Sequence, residues 1–430
     1  MNHDIDGAHT VGALYDSISP NTGDRAIGIA VSQELARLGI SPTTVVPPFG
    51  EQGVDDGMLR IVGGGELLRP VGDAFYDRFR PRGPHVLNSV GVWSTADELE
   101  HLIEYRYVSA RSSREVDLLR AVVPDAELVP CTTTTLESAP FHIEGLPDDG
   151  EPVVGIHVVP HTLSTCPELV ETVNAIPHRK LFIPFTHYNH DDSFMASLPF
   201  DRTRAIDLPT LEPEQLHSVL GQMTYVVVSS LHATIFAYSQ NVPFATVHQE
   251  KVENYLRDRD LQDLIFHDSA SLSEAVHHLE EAPPDFAETV ARDKAAVHDS
   301  FRRIAEVAGL STGDAVEPVL RAGPDQPSRE VVNLIAAQRE EVVLGRDAVL
   351  GSVSRRASAA YADVARLDGA LREAERALTE ERARVADLEA QLEEASRLPG
   401  AARAVLRASR DAVRSRVPRT NGSAHADGDA

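Results

Sequence analysis

Residues 225–247 read YVVVSSLHATIFAYSQNVPFATV, and this stretch decides the fold. Tyr225–Ser229 is a β-branched run with no polar break until its end, as in a strand covered on both faces. His232–Ser239 follows as a helix, and Asn241-Val242-Pro243 stops it before a second strand-like run, Phe244–Val247. Strand, helix and strand in so short a span form the βαβ unit of a parallel sheet. The switch from strand to helix, Ser229-Ser230-Leu231-His232-Ala233, places two hydroxyls, unpaired amides and an imidazole at one positive helix end. An imidazole there is biased toward its neutral form, suited to act as a base or as a hydrogen-bond donor.

Working outward, the alternation continues in both directions. In the second half, Val153–Val159, Lys180–Pro184 and Ala205–Leu208 are further strands, with helices at Glu168–Ala175, Glu212–Leu220 and Glu250–Arg257. In the first half the strands are Val11–Tyr15, Thr43–Val46, Met58–Val62, His85–Val90 and Tyr105–Ser109. Asp24–Leu38 is a helix, with Ile27, Val31, Leu35 and Leu38 on one face and Gly39 as its stop. The Pro/Gly/acid-rich stretch GLPDDGEP at 145–152 reads as a linker. The fold class is therefore α/β: two Rossmann-like domains, 1–148 and 149–310, in a GT-B-like arrangement. Such a plan puts its site in the cleft between the halves.

Beyond a linker at 311–330 the texture changes. Val364, Leu371, Leu378, Val385 and Leu392 recur every seven residues, and Leu367, Ala374, Leu388 and Ala395 fill the companion position, interrupted by Glu381. Residues 331–396 read as a helical coiled coil that makes the chain a homo-oligomer; a single helix packed back along the body is the alternative. Residues 397–430 form a basic, partly disordered tail. In it Val405, Leu406 and Val413 lie among Arg403, Arg407, Arg410 and Arg414. That pattern fits a short amphipathic helix on an anionic membrane, or equally a solvated basic tail.

Composition narrows the function classes. The 430 residues carry 40 basic and 66 acidic side chains, a net charge of −26, with 42% hydrophobic residues. Wholesale disorder and nucleic-acid wrapping are excluded, since the latter needs an electropositive footprint. The charge is uneven: seven arginines against Asp411, Asp427 and Asp429 give the 397–430 end a net +4, leaving −30 on the rest. No apolar run is long enough to span a bilayer, and MNHDIDGAHT at the start is no signal peptide. Two cysteines, Cys131 and Cys166, are too few for a disulfide framework and suit a cytoplasmic setting, with the tail as a contact to the inner membrane face.

The chain has no GxGxxG, GxxxxGK[ST] or GxSxG fingerprint, and no cofactor or metal is expected. Asp258-Arg259-Asp260 reads as a solvated helix end, and His157 and His161 as a strand end without metal. Three further places carry candidates. Asn21, Gly23 and Asp24 precede a long helix, whose free amides favour an anion or sugar hydroxyls, although capping by Asn21 or Asp24 explains them too. Gly63, Gly64 and Gly65 let the backbone approach a ligand at a strand's carboxyl end, or make a tight turn. The segment 185–192, FTHYNHDD, packs the imidazoles of His187 and His190 and the carboxylates of Asp191 and Asp192 as candidates for acid and base work, with helix capping by Asp191 as the plainer role.

In this order, NTGDRAI at 21–27, GGGELL at 63–68, SARSSREVDLL at 109–119, IPFTHYNHDD at 183–192 and the block 229–256 resemble the polysaccharide pyruvyl transferase family. The resemblance spans about residues 10–310. It implies a GT-B-like transferase of exopolysaccharide and cell-envelope biosynthesis, which moves the enolpyruvyl skeleton of phosphoenolpyruvate onto sugar hydroxyls as a ketal. It implies His232, His187 and Asp191 as catalytic groups. Arg111 and Lys251 would provide charge for the donor, held on the 149–310 side with His157 and Ser230 nearby. Asn21, Asp24 and Gly63–Gly65 would hold the acceptor on the 1–148 side, and Gly23, Asn189 and Ser229 would bind donor or acceptor. The partner is a glycan or lipid-linked oligosaccharide. The chain departs from the family at Ser230, where arginine is usual, and in GIHVVPH, which lacks a common arginine. His157, His161 and His187 are left to share that charge. A glycosyltransferase using a nucleotide sugar and a non-catalytic scaffold organised by residues 328–396 are the rival readings.

Overall fold

The structure is a computed structural model that describes residues 11–19, 21–46, 58–73, 75–146, 150–185, 191–206, 208–322, 371, 374, 376–388, 390–391 and 400–414. The chain divides into two compact units, Met1–Ser352 and Val353–Ala430.

The first unit holds two sheets in which every strand pair is parallel. The first contains β1 (Val11–Leu14), β2 (Thr43–Val46), β3 (Leu59–Gly63), β4 (Val86–Val90), β5 (Tyr107–Ala110) and β6 (Glu127–Leu128). The second contains β7 (Val153–Ile156), β8 (Arg179–Phe182), β9 (Ala205–Ile206), β10 (Tyr225–Val228), β11 (Phe244–Val247) and β12 (Ile265–Phe266). Its order, β12-β11-β10-β7-β8-β9, reverses direction between β7 and β10. The first sheet reverses likewise, between β1 and β3. In doubly wound sheets the crevice opens at the carboxyl ends of such strand pairs.

The helices follow from local chemistry. In α1 (Thr22–Arg37) the Asn21 side chain caps the N-terminus by accepting from Gly23 N at 2.9 Å. In α7 (Leu231–Ser239) Ser230 does the same from Ala233 N at 3.2 Å. Every residue of α7 is buried, which suits its unbroken apolar composition. Also present are α2 (Ser113–Arg120), α3 (Pro160–Thr165), α4 (Leu169–Ala175), α5 (Asp191–Ser197), α6 (Pro213–Leu220), α8 (Glu250–Arg257), α9 (Ser269–Glu281) and α10 (Ala287–Ala308).

The two halves share core packing. Ala26 and Ala30 of α1 share a core with Ile235, Phe236 and Ala237 of α7. Conversely, α10 follows the second sheet in sequence, yet Val297, Phe301 and Ile304 pack with Val11, Tyr15 and Val31 of the first half. Those three sit on one helical face by their spacing. Within the expected linker 311–330, Leu320–Ala322 is a strand, β13, paired in parallel with β2 at the edge of the first sheet, while 323–330 lie outside the described residues. A strand pair there caps an edge that would otherwise present unpaired backbone. Asp258-Arg259-Asp260 is a solvated end only in part, with Asp260 exposed and Asp258 half-exposed. Arg259 is buried, paired with Asp293 at 2.7 Å and stacked over the Tyr255 ring at 3.5 Å.

In the second unit, residues 376–388 and Gly400–Arg414 are helical. Leu371, Leu378, Val385 and Leu388 are 51–61% exposed. Among the described residues no helix is long and apolar enough to cross a membrane.

Candidate active site

The carboxyl ends of both reversal points face one another, and His232 stands where they meet. It opens α7 in the second half, and its ring lies against Gly23 in the first turn of α1. A Cβ at Gly23 would fall 2.3 Å from the His232 Cβ and ring. Glycine there is what lets the two helix N-termini approach. His232 Nδ1 lies 3.8 Å from Asp24 Oδ1, and Nε2 lies 3.9 Å from Cys131 Sγ. Burial, then the neighbouring Arg111 and Lys251, push its pKa down from 6.5 to about 3. The imidazole is therefore neutral at neutral pH, as its helix-end position suggested, although burial and two cations are the larger causes. Burial also raises the Cys131 thiol, so it stays protonated and is a poor nucleophile.

Beside His232 the loop after β3 delivers a carboxylate. Gly64 and Gly65 take positive φ, 71° and 62°, a turn that aims Glu66 into the cleft. Glu66 Oε1 lies 3.7 Å from Arg111 Nη2 and 3.6 Å from Lys251 Nζ, while Oε2 lies 3.0 Å from Arg69 Nη2. Burial would raise its pKa, but Lys251, Arg111, Arg69 and a hydrogen bond from Trp93 hold it at about 2. Arg111, at the end of β5, is 2% exposed and also faces Glu115 at 3.5 Å. A Cβ at Gly91 would fall 2.4 Å from Arg111 Nη2, so this glycine makes room for the guanidinium. Burial opposes the Arg111 charge, and Glu115 and Glu66 more than restore it.

The two sides of the cleft are stitched together. Thr22 N donates to Phe185 O at 3.1 Å, Ser113 N to Asp258 Oδ2 at 2.8 Å, and Arg114 pairs with Glu250 at 2.7 Å. Arg25 and Glu212 pair across α1 and α6.

The sequence-predicted residues divide into two groups. His232, Gly23, Asp24, Gly64, Gly65, Arg111 and Lys251 come together at this one place. Others are engaged in building it. His157, expected on the donor, is fully buried: its Nδ1 accepts from Ser229 N at 3.3 Å, so Nε2 donates to Asp191 Oδ2 at 3.1 Å. Asp191, expected in catalysis, is also fully buried and accepts from Phe185 N at 2.6 Å. Together they tie the ends of β7, β8 and β10, a task that needs complementary polar groups out of water. Ser229 donates to His157 O at 2.8 Å and contacts Thr162, Ser230 is committed as a helix cap, and Asn21 caps α1. Gly63 is the last residue of β3. His161 lies in the first turn of α3, with Nε2 3.1 Å from His248 O, and is not on a strand. His187, Asn189 and His190 lie outside the described residues. Among the described residues, no group of His, Cys, Asp and Glu is arranged to hold a metal ion.

Sequence reasoning passed over Glu66, Cys131 and Trp93. The signal for Glu66 was available, since it follows three glycines at the carboxyl end of a strand. Trp93, the chain's single tryptophan, is 42% exposed beside it.

The fold is thus two parallel α/β halves around a charged, histidine-centred cleft. A sequence model of polysaccharide pyruvyl transferases matches residues 21–247, just over half of the chain. The protein belongs to the polysaccharide pyruvyl transferase family and is a transferase. No curated protein sequence matches it. Similar solved structures include the glycosyltransferase SnogD from Streptomyces nogalater (12% identity, TM-score 0.40, covering 70% of this chain and 100% of that one). S. aureus MnaA with UDP is another (7% identity, TM-score 0.45, 72% and 100%). A third is an uncharacterised protein from Klebsiella pneumoniae (12% identity, TM-score 0.37, 58% and 88%). At TM-scores below 0.5 these likenesses bear on neither donor nor acceptor.

Proposed function

We propose that this enzyme transfers the pyruvate skeleton of phosphoenolpyruvate onto two hydroxyls of a cell-surface glycan or its lipid-linked precursor, forming a ketal and releasing phosphate. The observation that carries the reading is the meeting of Arg111 and Lys251, from opposite halves, beside a neutral His232. In the reaction one hydroxyl oxygen bonds to C2 while the methylene carbon takes up a proton and becomes methyl. The second hydroxyl then displaces phosphate by breaking its C2–O bond. Of the two hydroxyl protons, one ends on the methyl group and the other leaves with phosphate. Neutral His232 would take a hydroxyl proton and, as imidazolium, return it to the methylene carbon. Asp24, 3.8 Å from Nδ1, would orient the ring and stabilise its charged form. Arg111 and Lys251 would neutralise the donor's carboxylate and departing phosphate, for which a low-dielectric site is favourable. The exposed face of Trp93 and the Gly64-Gly65 turn would receive the sugar. No cofactor beyond the co-substrate is required. The 331–396 segment would pair with a second copy, and the basic tail would keep the enzyme cytoplasmic near an anionic inner leaflet, where lipid-linked precursors are built.

Incubating the protein with phosphoenolpyruvate and candidate glycans should release phosphate. Replacing His232 with Ala should slow release by about 10²–10⁴-fold, the usual contribution of a positioned acid–base group. No release above background, with wild type and variant alike, sinks the reading. The absence of arginine at Ser230 and in residues 155–161 favours one rival, a nucleotide-sugar donor. Thermal stabilisation by UDP or GDP sugars, with none by phosphoenolpyruvate, would select it.

A further inference from the structure

Glu66 stands at the place where the proposed donor's negative charge belongs. Its Oε1 lies 3.7 Å from Arg111 Nη2 and 3.6 Å from Lys251 Nζ, close enough to neutralise both and too far to hydrogen-bond either. Among the described residues, neither Glu66 Oε1 nor Arg111 Nη2, both buried, has a hydrogen-bond partner. Buried donors and acceptors are ordinarily satisfied, so this pair retains capacity for a ligand group that reaches them. The carboxylate is anchored from behind: Arg69 Nη2 holds Oε2 at 3.0 Å, and Arg69 itself stacks over Tyr76 at 4.6 Å. The loop that carries Glu66 turns on two glycines of positive φ, so the side chain comes from a fixed backbone.

We infer that Glu66 is a built-in counter-anion, a carboxylate that holds the Arg111–Lys251 cation pair until an anionic ligand displaces it. The inference rests on assigning those two cations to the donor. It deepens that assignment by making Glu66 the residue that sets how tightly a phosphate group is accepted. Charge explains the sense of the effect. A dianion entering beside an ionised carboxylate meets repulsion at short range, weakly screened in a buried site. In exchange, an empty site need not keep two uncompensated cations out of water. Displacement needs no backbone motion, because Arg69 can retain the carboxylate after Arg111 and Lys251 have let it go.

Inorganic phosphate is the probe, titrated by calorimetry into the full-length wild type and into Glu66→Gln. Gln keeps the shape and removes the charge, so phosphate should bind about tenfold tighter, the worth of one charge-assisted contact no longer opposed. Glu66→Asp keeps the charge but draws it back by one methylene, and its affinity should fall between the two. Emission from Trp93, the single tryptophan, should shift with the same midpoint, because its side chain hydrogen-bonds Glu66. Affinity unchanged or weaker in every folded variant overturns the inference. So does phosphate binding that leaves Trp93 emission unmoved, since the ion is then elsewhere. Failure of the phosphoenolpyruvate assay is a separate result. Affinity gain without turnover leaves the counter-anion standing and removes the donor, and turnover without affinity gain does the reverse.

Discussion

His232 shares its state with two other imidazoles that the fold keeps neutral. Burial, then the neighbouring cations, lowers His232 to about 3; burial and Lys294 lower His217 to about 3; burial, Arg80 and Arg82 lower His101 to about 4. All three bind a proton more readily in the unfolded chain, where the ordinary value is 6.5. Their contribution to stability is therefore complete above about pH 6.5 and is lost as pH falls through the window from 6.5 toward 3–4. Glu66 works in a different window. Its folded value is about 2 against an ordinary 4.5, so its contribution is present above 4.5 and lost only below. Between pH 6.5 and 4.5 the three histidines pull stability down as pH falls, opposed by Glu115, whose carboxyl burial holds above its ordinary value. Urea unfolding across that range should show stability falling steadily, by roughly 1–3 kcal/mol per histidine at pH 4.5. A flat profile from pH 7 to 5 would mean that the three rings already accept protons in the folded state. In a turnover assay, the acid limb should likewise show no titration near 6.5 from His232.

At the scale of elements, the site depends on two helix N-termini meeting head-on, and Gly23 sets the spacing. Adding a methyl there puts Cβ 2.3 Å from the His232 ring, inside any permitted contact. Either α1 or α7 must withdraw, and both are packed into a shared core. Gly23→Ala should destabilise the fold by about 1–3 kcal/mol through overpacking and should reduce turnover at least as strongly as it reduces stability. Gly313→Ala, where a Cβ would meet nothing within 4 Å, is the matched control and should be neutral. Equal unfolding midpoints for Gly23→Ala and wild type in denaturant would refute the packing account.

Elements of this kind were largely legible in the sequence. Thr43–Val46, Phe244–Val247 and Glu250–Arg257 have the bounds that β-branched runs and helical spacing imply. The other strands read from sequence differ by one to three residues at their ends, while the two-residue strands Glu127–Leu128 and Ile265–Phe266 escape that reading altogether. Local signals suffice there because a strand buried on both faces writes a continuous apolar run. What escaped depends on distant partners. The stripe of Val297, Phe301 and Ile304 is visible as a helix face, yet nothing local says that it returns to the first half. Leu320–Ala322 is too short to announce itself before β2 supplies its pairing. Arg259 looks like one of a solvated run until Asp293 and Tyr255 enclose it. At the site the same division holds. His232, Arg111 and Lys251 stood out by motif, whereas the hydrogen bonds that join His157 and Asp191 to each other, to Ser229 and to Phe185 depend on strands far apart in sequence.

The whole molecule is an acidic body with an appended helical unit, and its charge is distributed accordingly. An overall −26 makes the body a poor neighbour for polyanions, so the cations that serve an anionic donor must lie inside the cleft, where Arg111 is. Over the second unit the balance changes. Leu371, Leu378, Val385 and Leu388 repeat at heptad positions and are 51–61% exposed, an apolar stripe that water penalises. Pairing the stripe with its counterpart on a second copy would recover about 1 kcal/mol per side chain. Glu381, paired with Arg384 at 3.3 Å, sits in the same seam and would lower that gain while fixing the register. The oligomer should therefore be real but sensitive to added charge. Light scattering on the full chain should give a multiple of 46.7 kDa, and Leu378→Glu together with Val385→Glu should return it to the single-chain mass. Because those positions lie outside the first unit, phosphate release should survive the double substitution. A wild-type protein already at the single-chain mass would leave the stripe without a partner of its own kind, and loss of turnover in the double variant would tie catalysis to assembly.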